Sequence, residues 1–201
     1  NPPSVIKLVE VIFLPETPGD VRRRAVETLQ AAGKNPIVCA DTPGFVVNRC
    51  ARPFYGEAFA ILDEKQHSAA QIDAAMTAAG YRIGPFALID LIGVDVHLAA
   101  TEGVAAGFDN HPRYHVFQAL RDAVSCGRLG RKSGRGFVTP PEDVEPTEDA
   151  ADIVNRIEVM LANEAVTLWD KTDITEGQID SAMMLGLNFP HGPFAIARRL
   201  G

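Results

Sequence analysis

The sequence predicts a mainly helical protein in which the tail of an α/β domain leads into a helical domain present twice. Three observations carry this. The chain opens with a β-branched run, an amphipathic stretch and a second β-branched run. An alanine-rich helical pattern begins behind Asp41-Thr42-Pro43-Gly44, and part of it recurs 107 residues later.

Residues 5–14 are apolar and β-branched and read as a strand, central in its sheet and buried on both faces. Glu10 is its odd member, because a carboxylate there needs a partner or a place at the strand end facing a cleft. Residues 15–19 break the chain. Val21, Ala25, Leu29 and Ala32 then form a stripe at helical spacing, ended by Gly33. Residues 36–39 give a second short strand, and strand–helix–strand is one crossover unit of a parallel sheet. Residues 45–63 read as one long helix kinked at Pro53. Ser68-Ala69-Ala70-Gln71 is a capping box, Gly80 closes that helix, and Gly84-Pro85-Phe86 opens the next. Residues 127–136 are glycine-rich and basic and read as a loop. Residues 140–148, rich in Pro and acids, are the best linker, and a last helical stretch runs from about residue 151. The division is therefore 1–40, 41–139, a linker at 140–150, and 151–201.

The repeat is the firmest signal. Asn48-Arg49 recurs as Asn155-Arg156, Glu57-Ala58 as Glu164-Ala165, and Gln71-Ile72-Asp73 as Gln178-Ile179-Asp180. After one inserted residue, Gly84-Pro85-Phe86 recurs as Gly192-Pro193-Phe194. Two copies in one chain are expected to pack as an intrachain pseudo-dimer, each burying the other's apolar face. The second copy is short compared with the first. The chain opens on Asn1 without a methionine and is read as a piece of a longer protein.

Composition narrows the function classes. The 201 residues carry a net charge of −7, which argues against a nucleic-acid partner. No apolar run reaches the roughly 18 residues of a membrane span, and no secretory pattern is present. Three cysteines, Cys39, Cys50 and Cys126, without CxxC spacing fit a reducing compartment and read as core residues.

Four places could carry chemistry. Glu10 is either a structural carboxylate or a group that orients a catalytic histidine and stabilises its protonated form. Asn48 either makes a packing hydrogen bond or holds a substrate oxygen, and its recurrence as Asn155 favours packing. Lys132 sits in the glycine-rich loop, which is either a solvated basic loop or a phosphate contact; no helix start follows, so it is not a P-loop. His111 and His115 have ligand spacing, but Pro112 lies between them and no acid or thiol pattern surrounds them, so no metal site is read.

Asn1-Pro2, the run 7–11, the run 41–49, Gly84-Pro85-Phe86 and the run 130–137 together resemble the 3-hydroxyacyl-CoA dehydrogenase family, over nearly the whole chain and in order. The duplicated helical part resembles bacterial members of the 3-hydroxybutyryl-CoA or phenylacetate-pathway type. The resemblance implies the last strand–helix–strand unit of a Rossmann-like domain followed by a duplicated helical domain like the C-terminal domain of 6-phosphogluconate dehydrogenase. It implies NAD as cofactor and an acyl-CoA substrate whose 3-hydroxyl is oxidised to a ketone. Glu10 then matches the glutamate of a His–Glu pair, and Asn48 the asparagine that holds the substrate. Asn1 matches an asparagine near the nicotinamide, and Lys132 a lysine that contacts NAD. The histidine would lie three residues before Asn1, and most of the NAD-binding domain further upstream, so this piece alone is expected to be inactive. Val138 stands where the family often has an aromatic. A cytoplasmic fatty-acid β-oxidation or phenylacetate enzyme is expected, self-associating as a homodimer or through its own two copies, with no membrane or nucleic-acid partner. Two other readings stay open: a non-catalytic interaction module, and an NAD enzyme for another 3-hydroxy acid.

Overall fold

The computed structural model describes residues 5–201. Asn1 lies outside the described residues. Strand β1 (Leu8–Val11), helix α1 (Gly19–Ala31) and strand β2 (Asn35–Val38) form the expected parallel crossover, with Leu8 opposite Asn35 and Val11 opposite Val38. The first strand is shorter than residues 5–14 and is not buried on both faces: only Leu8 is buried. The physical reason is its sheet, which among the described residues has two strands, leaving β1 one neighbour. The α1 stripe is likewise uncovered, with no buried residue and Val21 exposed.

The long helix expected over residues 45–63 is two helices, α2 (Val47–Cys50) and α3 (Arg52–Asp63), parted at Ala51. Pro53 is the cause. It has no N–H to give the carbonyl four residues back, so it starts a new helix at its first turn and does not merely kink the old one. The second copy is the internal control. At the offset of 107, Met160 stands where Pro53 does, and helix α8 (Ala150–Asp170) runs unbroken for 21 residues.

The rest of the first copy is α4 (Ala69–Ala78), α5 (Pro85–Ile92), α6 (Val94–Gly107) and α7 (Gln118–Ser125), with short 3-10 turns at Pro112–Tyr114 and Arg131–Ser133. No regular element falls within residues 141–147. After α8 come α9 (Glu176–Leu187) and α10 (Pro193–Leu200). Both capping boxes form, Ser68 with Gln71 and Thr175 with Gln178. Among the described residues no helix is long and apolar enough to cross a membrane. Of the three cysteines, Cys50 is buried, Cys39 half-buried and Cys126 exposed at the end of α7, so the core reading fails for Cys126.

A second repeated device ties each copy together. Asp73 on α4 accepts from the N–H groups of Phe86 (2.9 Å) and Ala87 (2.7 Å), the first turn of α5. Asp180 on α9 does the same for Phe194 (2.7 Å) and Ala195 (3.2 Å) on α10. The carboxylate satisfies donors that the helix start leaves orphaned and sits at its positive end. The glycines before each turn make room: a Cβ on Gly84 would fall 2.4 Å from Asp73 Cγ, and one on Gly192 2.2 Å from Asp180 Cγ.

The two copies share one hydrophobic core. Phe54 and Tyr81 of the first stack on each other, and both meet Phe189 of the second, Phe54 tilted at 4.9 Å and Tyr81 edge-to-face at 5.0 Å between centroids. They also exchange reciprocal ion pairs. Arg49 bonds Glu164 at 2.7 Å, and the repeat-related Arg156 bonds Glu57. Residue i meeting j′ while j meets i′ is the signature of two-fold packing. The two pairs differ in burial. Glu164 is fully buried and also accepts from Arg113 (2.9 Å) and Tyr114 (2.8 Å), whereas Arg156 is 40% exposed. Removing one partner of a buried pair costs about 3–5 kcal/mol, and an exposed pair is worth about 0–1 kcal/mol. Glu164→Gln is therefore expected to lower unfolding stability by about 3 kcal/mol and Glu57→Gln by under about 1 kcal/mol. Urea denaturation of the two variants checks the difference.

Candidate active site

The carboxyl end of β1 meets the amino end of α2. Glu10 Oε1 accepts from the backbone N–H of Val46 at 2.7 Å and of Val47 at 3.1 Å. Its second oxygen has no hydrogen-bond partner among the described residues. The strand end is thereby fixed to the residue immediately before Asn48. Phe45, at φ 48°, turns the chain into this arrangement. Beside it a cavity of about 510 Å³ opens between Val38, Cys39, Thr42 and Val46 on one side and Leu168 and Ile174 on the other. It lies at the carboxyl end of the parallel strands, where open α/β sheets bind ligands.

Asn48 is exposed and so is Asn155, so neither asparagine is buried in the core. Asn48 Oδ1 accepts from Arg52 Nη2 at 2.8 Å, one helical turn on. A guanidinium only donates, so the atom facing it is the amide oxygen and the amide NH₂ is turned away from it. Arg52 is itself 7% exposed; its Nε donates to the Asn48 carbonyl (2.9 Å) and its Nη1 to Thr101 Oγ1 (2.9 Å). Burial lowers its pKa from the ordinary arginine value, with the Tyr55 ring 5.2 Å from the guanidinium carbon. Nearby His97 packs on Tyr55 at 4.4 Å. Burial pushes its imidazole down to about 3, and the Arg52 charge works in the same direction.

Lys132 lies in the 3-10 turn of the glycine-rich loop, about half exposed, paired with Asp95 at the start of α6. The structure therefore brings Glu10 and Asn48 onto one junction and gives Lys132 a place on the α6 side of the first copy. His111 Nδ1 accepts from the Arg113 N–H beside a 3-10 turn, so the His111–His115 spacing is not that of a regular helix. Sequence reasoning missed Arg52, His97 and the buried Glu164. The visible signal for Arg52 was its place four residues after Asn48, one turn along the same helix face.

A parallel strand–helix–strand unit, seated by a helix-capping glutamate on a duplicated helical domain, is the class of protein these features define. The family model described as "3-hydroxyacyl-CoA dehydrogenase, C-terminal domain" matches residues 44–140 and 153–201, and "3-hydroxyacyl-CoA dehydrogenase, NAD binding domain" matches residues 1–42. The chain belongs to the 3-hydroxyacyl-CoA dehydrogenase family, whose cofactor is NAD. It is 36% identical to the 3-hydroxyadipyl-CoA dehydrogenase of Escherichia coli, over all of this chain and 43% of that protein. It is 33% identical to the fatty acid oxidation complex subunit alpha of Acinetobacter baumannii, over 94% of this chain and 30% of that protein. The crystal structure of Escherichia coli 3-hydroxybutyryl-CoA dehydrogenase superposes with a TM-score of 0.90 at 28% identity, covering all of this chain and 62% of that one. The chain thus spans less than half the length of these curated relatives.

The neutral, buried His97 has a measurable consequence. Its folded pKa lies below the unfolded value, so below about pH 6.5 the unfolded chain binds a proton that the folded chain does not. That contribution to stability is present above pH 6.5 and is lost as pH falls, by up to about 1.4 kcal/mol per pH unit. Denaturation midpoints between pH 7 and 4.5 are expected to fall more steeply in the wild type than in His97→Gln.

Proposed function

We propose that the whole protein of which this chain is part is an NAD-dependent L-3-hydroxyacyl-CoA dehydrogenase. In this reading Glu10 and Asn48 belong to its active centre. The observation that carries the reading is the junction itself: one Glu10 oxygen holds the start of α2 while the other faces no donor among the described residues, next to an asparagine whose amide is oriented by Arg52.

The reaction removes the hydroxyl proton and the C3 hydrogen with its electron pair, leaving a C3=O double bond. NAD, when bound, supplies the hydride acceptor. A histidine near neutral pKa suits the proton. The free Glu10 oxygen would orient that ring and stabilise the imidazolium it becomes. The Asn48 NH₂ would donate to the 3-oxygen and fix its position. For the cofactor, the parallel strands end on the cavity, and separately Lys132, on the α6 side of the first copy, offers an exposed ammonium whose surface pair with Asp95 is weakly held. Lys132 and Asn1 would contact NAD in the whole protein. The reciprocal arginine–glutamate pairs support reading the two helical copies as an intrachain counterpart of a dimer. A role in fatty-acid or phenylacetate breakdown in the cytoplasm fits the same reading.

Glu10→Gln keeps an acceptor for the α2 N–H groups and removes the charge. In the full-length protein it is expected to lower kcat for a 3-hydroxyacyl-CoA at least about 100-fold, with thermal unfolding little changed. NADH absorbance and circular dichroism measure the two. An unchanged rate would leave Glu10 as a helix cap alone, which is what a non-catalytic module requires.

A further inference from the structure

Arg52 is the buried cation without an acid partner among the described residues. The other buried charged side chains are met: Arg49 and Glu164 by each other, Glu158 by Tyr81 and Arg199, Asp73 and Asp90 by pairs of backbone N–H groups. Arg52 meets only neutral oxygens and an aromatic face. A buried charge left in that state is costly unless something else neutralises it. The repeat-related residue is Val159, so the packing of the two copies does not itself call for a cation at this place.

Arg52 lines a cavity of about 200 Å³ whose other walls include Pro53, Phe59, Phe117, Leu120 and Met160. Pro53 and Met160 hold the same place in the two copies, so the cavity lies on the seam between them. The other charged groups on its wall are engaged, Glu57 by Arg156 and Arg113 by Glu164. His97 is neutral there, and the His115 ring packs edge-on against Phe117. A guanidinium has five N–H bonds. Three of those on Arg52 are spent, on the Asn48 carbonyl, Asn48 Oδ1 and Thr101 Oγ1. Two donors remain, one on each Nη nitrogen. The cavity thus combines apolar walls with one cation that nothing on the wall neutralises.

We infer that this cavity is a binding site for a small monocarboxylate with a compact apolar body, its carboxylate received by Arg52. The unmet charge and the two spare donors match one carboxylate, the group that arginine holds best. The walls match the body. An apolar cavity of about 150 Å³ holds benzene, so this one has room for a single ring and its carboxylate. Inorganic phosphate is a poorer occupant, because it has no apolar body and brings four oxygens to two donors. Neither Glu10 nor Asn48 lines the cavity, and the inference does not rest on the dehydrogenase reading. The same guanidinium holds Asn48 Oδ1, so a change at Arg52 would disturb turnover for reasons of its own, and binding is the readout that isolates the cavity.

The test titrates three compounds into the full-length protein by isothermal calorimetry. Benzoate has the ring and the charge, benzamide keeps the shape and lacks the charge, and inorganic phosphate keeps a charge and lacks the ring. Benzoate is expected to bind at least about tenfold more tightly than either of the others. Arg52→Met, folded by circular dichroism, is expected to weaken benzoate at least about tenfold and to leave benzamide unchanged. Should Arg52→Met fail to fold, Arg52→Lys, which keeps the charge and loses the planar fork, is expected to bind benzoate less tightly than the wild type. Absence of benzoate binding to the wild type overturns the inference, a measurement that needs no variant. So does equal binding of benzamide, which would leave an apolar cavity with no use for the charge. Benzoate binding undiminished in the Arg52 variant overturns it as well, because the benzoate would then sit elsewhere and Arg52 would serve Asn48 alone.

Discussion

One carboxylate at the start of one short helix holds the arrangement together. Helix α2 has four residues, too few to be stable alone. Glu10 meets the N–H groups of Val46 and Val47 and complements the positive end of the helix, tying it to the end of β1. Three residues follow within six positions: Asn48 next, Arg49 reaching across to Glu164, and Arg52 turning back to Asn48. A shift of β1 against α2 would move all three together.

From the other side the same helix is gripped by the second copy. Arg49 and Glu164 form a dry pair inside a cluster that also takes in Arg113 and Tyr114, and such clusters hold their members only when every lone pair is satisfied. The repeat-related pair, Arg156 with Glu57, is exposed and also shares its arginine with Glu64. Duplication therefore supplied two versions of one contact, and burial made them unequal. The first copy carries Pro53 and the helix break that leaves Asn48 in the short α2 and Arg52 at the start of α3. The second carries Met160 and Val159 at those places, and its long α8 serves as the brace.

The helix-start carboxylates show how economical the repeated sequence is. Asp73 and Asp180 each sit thirteen to fifteen residues before the N–H groups they hold, with a glycine beside each because a side chain there would leave no space. Asp90 repeats the device for Phe137 and Val138, which anchors the loop carrying Lys132 to α5. Buried carboxylates in this protein are thus mostly answered by backbone N–H groups or by arginine, and Arg52 stands out against that pattern.

The sequence by itself determined the local and the periodic. Capping boxes, the Gly-Pro-Phe helix starts, the parallel crossover and the two copies are written in residue spacing, because they depend on neighbours a few positions apart or on a pattern that recurs. Glu10 was legible as a candidate, since a lone carboxylate in an apolar strand breaks the pattern around it, whereas the recurrence of Asn48 as Asn155 favoured packing and only the family resemblance pointed to a site there. Only the tertiary structure decided that Glu10 holds the start of the helix carrying Asn48, that the asparagine is exposed, that the first strand has a single neighbour among the described residues, and that Pro53 divides its helix. It alone showed that Arg52 is buried without an acid. Whether a charge is paired depends on residues far away in sequence, here Glu164 for Arg49 and none for Arg52 among the described residues, and spacing along the chain carries no record of that.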